Sequence, residues 1–146
     1  MLLSLEIPIK PWKEAKIDAF AVRQAVFIHE QGVPAELEID ELDPLAMHAL
    51  AYQDSACVGT GRLVNLGNGQ FQIGRMAVLE DLRGQGVGQQ ILKILISLAI
   101  QHGAQSILLH SQVSALSFYE KLGFQAEGPT YDEAGIPHRN MMLFLP

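Results

Sequence analysis

The sequence predicts one α/β unit, a mixed and mostly antiparallel central sheet flanked by helices. Three observations carry that expectation. Short apolar strand signals are separated by strong turn signals near Asp54 and Ser55 and at Gly67-Asn68-Gly69. Helical apolar spacing precedes them over residues 17–31 and returns over residues 89–101. Directly before that second helix, Gly84, Gly86 and Gly88 stand at alternate positions, where a bare backbone calls for a reason.

The elements follow in order. The stretch from Ile17 to Gln31 is a helix ended by Gly32. A proline-bounded acidic loop carries Glu36, Glu38, Asp40, Glu41 and Asp43, and is expected to be a solvated face or a negative rim for a cationic amine. Residues 47–54, 56–66 and 70–80 form three strands, the first two joined near Asp54. The helix over 89–101 shows one polar stripe of Gln89, Gln90, Lys93, Ser97 and Gln101, so it is largely buried, and Gly103 ends it. A strand at 106–111 leads to a short helix starting at Ser114 as N-cap and stopping at Gly123. Closing strands surround a loop that includes His138.

Length and composition bound the rest. At 146 residues, with 49% apolar and 18% charged residues, the chain fits one domain, residues 1–146, with a core that needs no metal or disulfide. A formal charge of −6 argues against nucleic acid or an anionic membrane as partner. Cys57 is the only cysteine and is expected as a small buried hydrophobe on a strand, with a reducing compartment the default. Residues 1–10 lack the pattern of a signal peptide, and the most apolar run, 91–100, is too short to span a bilayer. A cytoplasmic location is expected.

An anion held at a helix N-terminus would explain the bare loop. A P-loop needs Lys and Ser or Thr after its last glycine, where Gln89 and Gln90 stand. A dinucleotide fingerprint started at Gly84 needs glycine at 89 and an opening βαβ unit. Both fail. Arg83-Gly84-Gln85-Gly86-Val87-Gly88 after "RMAVLE" resembles the R/Q-x-x-G-x-G/A signature of the GCN5-related N-acetyltransferases. Downstream, "SQVSALSFYEKLGF" is similar to the family's N-x-x-A-x-x-F-Y-x-x-x-G-F block, with Ala115, Phe118, Tyr119, Gly123 and Phe124 in register and Gln112 where the pattern has Asn. The flanks, including "AVFIHEQGVPAELEIDELDP" and "YDEAGIPHRNMML", resemble the bacterial ElaA- and YjcF-like branch.

The resemblance implies the acyl-coenzyme A N-acyltransferase fold and acetyl-coenzyme A as cosubstrate. Its diphosphate would lie on the amides of residues 83–88, with Met76, Ala77 and Val78 on the preceding strand, and Gln112, Phe118 and Tyr119 beside the pantetheine. The physics is an anion nest reinforced by a helix dipole. The reaction implied is acetyl transfer to a primary amine by direct attack. The acceptor is a small molecule or a peptide. A coenzyme A-binding sensor without turnover, or use of a longer acyl thioester, are the alternatives.

Such a transfer needs the amine deprotonated, the carbonyl polarised and the departing thiolate protonated. The resemblance points to Tyr119 as the acid. Glu30, at the end of the first helix, and His48, opening a strand, are candidate bases, and His138 is a third group expected at the cleft. Arg62 and Arg75 sit in strands and need partners; Asp40 or Asp43 would serve, or a carboxylate on the acceptor. Asp40, Arg75 and His138 are the candidate acceptor contacts. The five histidines show no metal-ligand spacing, so no metal is expected. A homodimer is the commonest assembly for such a chain.

Overall fold

The computed structural model describes residues 4–146. Seven strands form one sheet: β1 (Ile9–Pro11), β2 (Met47–Gln53), β3 (Ala56–Gly67), β4 (Gln70–Val78), β5 (Ser106–Gln112), β6 (Gln125–Glu133) and β7 (Ile136–Phe144). Their spatial order is β1-β2-β3-β4-β5-β7-β6. Every neighbouring pair is antiparallel except β4 and β5. The expected mixed, mostly antiparallel sheet is therefore the fold.

Both turn signals are hairpins. Asp54 and Ser55 take φ of 48° and 72° between β2 and β3, the backbone that lets right-twisted strands return on themselves. A third hairpin, at Ala134-Gly135, joins β6 to β7 and starts β7 earlier than its apolar run suggests. His138 consequently sits inside β7, paired in register with Gln112, and not in a loop. The three-residue β1 has no sequence signal of its own and is held by pairing with β2.

Helix α1 (Trp12–Arg23) begins five residues before the expected start, directly after Pro11. Its buried stripe is Trp12, Ala15, Ala19 and Val22, whereas Ile17, which opened the expected helix, is 84% exposed. The helix then widens into a π-helical segment, Gln24–Glu30, where the Gln31 N–H donates to the Val26 carbonyl at 3.1 Å. Wide turns of this kind often accompany functional sites. One turn of helix, α2 (Ala35–Glu38), lies in the acidic loop.

Helix α3 (Val87–Gln101) buries Val87, Ile91, Leu92, Leu95 and Ala99 against the sheet. It sits close because β3 carries glycine beneath it: a Cβ on Gly61 would stand 2.6 Å from Met76 Sδ and 2.9 Å from Leu95. The core continues through Leu63, Phe71, Ile73, Ile107, Leu109, Phe124 and Met141. The last helix, α4 (Leu116–Glu120), follows a 3₁₀ turn at Val113–Ala115, and Ser114 provides no side-chain cap. Cys57 is half-buried on β3, and burial pushes its thiol up to about 11, so it stays a neutral thiol near pH 7. Among the described residues no helix is long and apolar enough to cross a membrane.

Candidate active site

The site begins with an interruption of the sheet. β4 and β5 pair only through Gln70–Gln72 and Ser106–Leu108. Beyond that ladder the strands separate, and the β5-facing edge of β4 from Ile73 to Val78 has no strand partner among the described residues. A bulge adds to the opening. Arg62 pairs with Gly74 and Thr60 with Ala77, so Arg75 and Met76 together oppose Gly61. Arg75 takes φ of +52° there, a conformation that costs a β-substituted residue energy and that clusters at functional sites. The result is a cavity of about 1100 Å³, lined by β4, the end of β5, the glycine loop, α4 and the segment 26–42.

At one end lies the loop 83–88. Gly84 and Gly86 have φ of +77° and +83°, and Gly86 is the N-cap of α3. Left-handed residues alternating with ordinary ones turn successive N–H groups toward one side, and the first amides of α3 are unused by the helix. An anion fits there. Gly88 has a different reason to be glycine: a Cβ on it would stand 3.3 Å from Phe118 Cζ, so it lets α4 close over the start of α3.

Arg83 is occupied. Its Nη1 and Nη2 donate to Glu30 Oε2 and Oε1 at 2.5 and 2.7 Å, and its Nε donates to the Val78 carbonyl at 3.0 Å. The hydrogen bond from Arg83 holds the Glu30 carboxyl below the usual carboxylate range. Next to it in sequence, the Gln31 carboxamide accepts from Gln112 Nε2 at 2.9 Å. The end of the π-helical segment thus touches both lips of the opening, one residue to each.

Tyr119 lines the cavity and packs edge-on against Phe118 and Phe124, with ring centroids 4.9 and 6.1 Å away. Its hydroxyl has no hydrogen-bond partner among the described residues, and burial pushes its acidity up to about 12. His138 faces the same cavity from β7. Its Nδ1–H donates to the Ile136 carbonyl at 2.7 Å, which leaves Nε2 as the basic nitrogen, 3.5 Å from Glu133 Oε2. The other Glu133 oxygen stands 3.2 Å from His110 Nδ1.

His48 is placed elsewhere. It is buried on β2, donates from Nε2 to the Asp43 carbonyl at 2.9 Å and packs against Trp12 at 4.9 Å, and it is absent from the cavity wall. Burial keeps it neutral against the pull of that carbonyl. The expectation that it reaches the acceptor side is not what the fold provides, because strand alternation turns it toward α1 and away from the opening.

The acidic loop is solvated only in part: Glu36 and Glu41 are exposed, whereas two of its carboxylates are sealed in. Glu38 and Asp43 are 1% and 0% exposed. Arg23, on α1, donates to Glu38 Oε1 from Nε at 2.5 Å and to both Asp43 oxygens at 2.8 and 3.0 Å. Arg62 bridges Asp40 at 2.7 Å and Asp43 at 2.9 Å, and Arg75 reaches Asp40 at 3.1 Å. Arg62 and Arg75 thus find the partners expected of them. Arg23 and Glu38 were not anticipated, although Arg23 stands four residues after Ala19 on the buried stripe, where a charge needs a partner. Glu38 Oε2 is sealed from solvent without a hydrogen bond. No cluster of three metal-ligating side chains occurs among the described residues.

A model of the acetyltransferase (GNAT) domain matches residues 13–145. A Bacillus subtilis protein described as an uncharacterized N-acetyltransferase, YjcF, is 41% identical over 126 residues, covering 86% of this chain and 89% of that one. The crystal structure of Escherichia coli ElaA superposes with a TM-score of 0.86 at 28% identity, covering 96% of this chain and 99% of that one. An acyl-CoA N-acyltransferase from Pseudomonas aeruginosa gives the same TM-score, identity and coverage. The chain belongs to the GNAT acetyltransferase family, in the branch that holds ElaA and YjcF. Acyl transfer from coenzyme A is the chemistry of that class.

Proposed function

We propose that this protein moves an acetyl group from acetyl-coenzyme A to a primary amine by direct attack within the opening between β4 and β5. The observation that carries the reading is that opening itself: an unpaired β4 edge that shares one cavity with an amide nest and acid–base side chains. An extended pantetheine arm is a strand-like guest for such an edge, and the diphosphate matches the nest at residues 83–88.

His138 removes the amine proton at Nε2, the ring nitrogen that stands 3.5 Å from Glu133 Oε2. A primary ammonium has an ordinary pKa near 8 to 10.4, so this step creates the nucleophile at neutral pH. The nitrogen bonds to the thioester carbon, and one backbone N–H of the stretch Met76 to Val78 faces the negative oxygen as it forms. Alternation gives that place to Val78, since the next amide, Leu79 N–H, donates to Val58 on β3. The carbon–sulfur bond then breaks and the electron pair leaves on sulfur, beside the Tyr119 hydroxyl. With Tyr119 near 12 and an ordinary thiol near 8.5, full proton transfer is uphill by about 5 kcal/mol. Tyr119 therefore serves by donating a hydrogen bond to the departing sulfur, which takes its proton in the end from the amine side or from water. Glu30 and His48, the other two basic candidates, are held by Arg83 and by the Asp43 carbonyl.

The test is thiol release on mixing the protein with acetyl-coenzyme A and a panel of amines. Amine-dependent release supports the reading. Saturable binding with no release for any amine points to a sensor, and faster release from longer thioesters points to a different acyl donor.

A further inference from the structure

Arg75 is the most exposed arginine of the charge cluster, and one of its nitrogens is open to the cavity. Two of its nitrogens are tethered: Nε donates to the Glu38 carbonyl at 3.1 Å, and Nη2 to Asp40 Oδ2 at 3.1 Å and the Leu37 carbonyl at 3.3 Å. Nη1, with two N–H groups, has no partner among the described residues. The side chain lines the cavity and keeps 25% of its surface exposed, against 5% for Arg62. The backbone beneath it is the left-handed residue of the β4 bulge, so the chain accepts strain to aim this side chain where a regular strand would not.

We propose that the acceptor carries a carboxylate beside its amine, and that Arg75 Nη1 receives that carboxylate. This rests on the acetyl-transfer reading and adds the substrate class, an amino carboxylate. Three arguments favour it. A guanidinium fixed at two nitrogens is already oriented, so little freedom is lost when the third engages an oxyanion. Nη1 is a single open donor nitrogen, a match for one carboxylate and too little for the three oxygens of a phosphate ester. The opposite wall holds His138 and Glu133, which suit the cationic end of a zwitterion. Glu38 Oε2 also lacks a partner, yet it is closed off from solvent and offers nothing to an arriving amine.

The experiment compares matched amines that differ only in the acidic group, amino acids against their carboxamides, by thiol release from acetyl-coenzyme A. The wild-type protein is expected to favour the carboxylate member in kcat/KM by about tenfold or more, the size of one charge-assisted hydrogen bond. Arg75→Gln should abolish that preference by raising KM for the carboxylate, and Arg75→Lys should keep part of it. Equal use of both members by the wild-type protein overturns the proposal while acetyl transfer stands, and needs no variant to fold. A preference that survives in a folded Arg75→Gln protein overturns it as well. If every amine fails while coenzyme A binds, the acetyl-transfer reading falls and this one with it.

Discussion

Glu30 and Arg83 meet at two points, carboxylate against guanidinium, on the rim where the diphosphate of coenzyme A is proposed to bind. Both side chains are partly exposed, 29% and 40%, so the pair is worth about 0–1 kcal/mol to the fold. Its effect is on the ligand, because the carboxylate takes the place of an arriving anion. Glu30→Gln is expected to lower the Kd for coenzyme A several-fold by calorimetry, and Arg83→Ala to raise it. Weaker binding by Glu30→Gln contradicts the competition. Lost turnover at saturating substrates would make Glu30 the base.

Tyr119→Phe keeps the ring packing on Phe118 and Phe124 and removes only the hydroxyl. Turnover is expected to fall about ten- to a hundredfold with cofactor affinity nearly constant. Burial makes the phenol harder to ionise, raising it to about 12, so the wild-type rate should show no loss from tyrosinate between pH 7 and 10. A rate that is indifferent to the hydroxyl removes Tyr119 from the chemistry.

His138→Asn should reduce turnover by about a hundredfold while coenzyme A still binds. Glu133→Gln leaves the imidazole in place and withdraws the charge facing Nε2. It should give a smaller loss of turnover than His138→Asn, because the ring that takes the proton is still in place. Turnover that is unchanged in both variants excludes the pair as the proton acceptor.

Asp43 ties the acidic loop to α1 and β3. Burial pushes its carboxyl up, but the hydrogen bond and charge of Arg23, an amide from Asp40 and the charge of Arg62 outweigh it and hold it at about 2. A carboxyl depressed from its usual value near 4 adds stability that is complete above pH 4 and lost as pH falls toward 2, about 2 kcal/mol in all. Urea midpoints should drop over that interval. Asp43→Asn should flatten the dependence and destabilise the protein at pH 7 by about 3–5 kcal/mol, because Arg23 and Arg62 would lose their shared partner.

The glycine loop and the Phe118-Tyr119 block were legible because each demands particular residue types: a left-handed backbone at 84 and 86, and an aromatic pair at the cavity wall. The two hairpin turns were legible for the same reason. The start of α1 was not, since its buried face is built from Trp12, Ala15 and Ala19 among charged residues, while the more obvious Ile17 points to solvent. The acidic loop misled because five carboxylates in eight residues suggest water; what buries Glu38 and Asp43 is arginines 15 to 20 residues away, a pairing that periodicity cannot show. His138 moved from loop to strand because β7 begins at a two-residue hairpin whose first left-handed residue is Ala134, so Gly135 alone did not mark a turn that tight.

The short ladder between β4 and β5 has a mechanical consequence. Two half-sheets, β1 to β4 and β5 to β7, share only three paired positions on each strand, so the molecule is stitched at one end and unzipped at the other. Free peptide groups along such an interior seam resemble those of an exposed edge strand, which readily accept a foreign chain. A slender guest threaded through the gap would join the halves along their length, and its grip should be felt as resistance to heat across the whole protein.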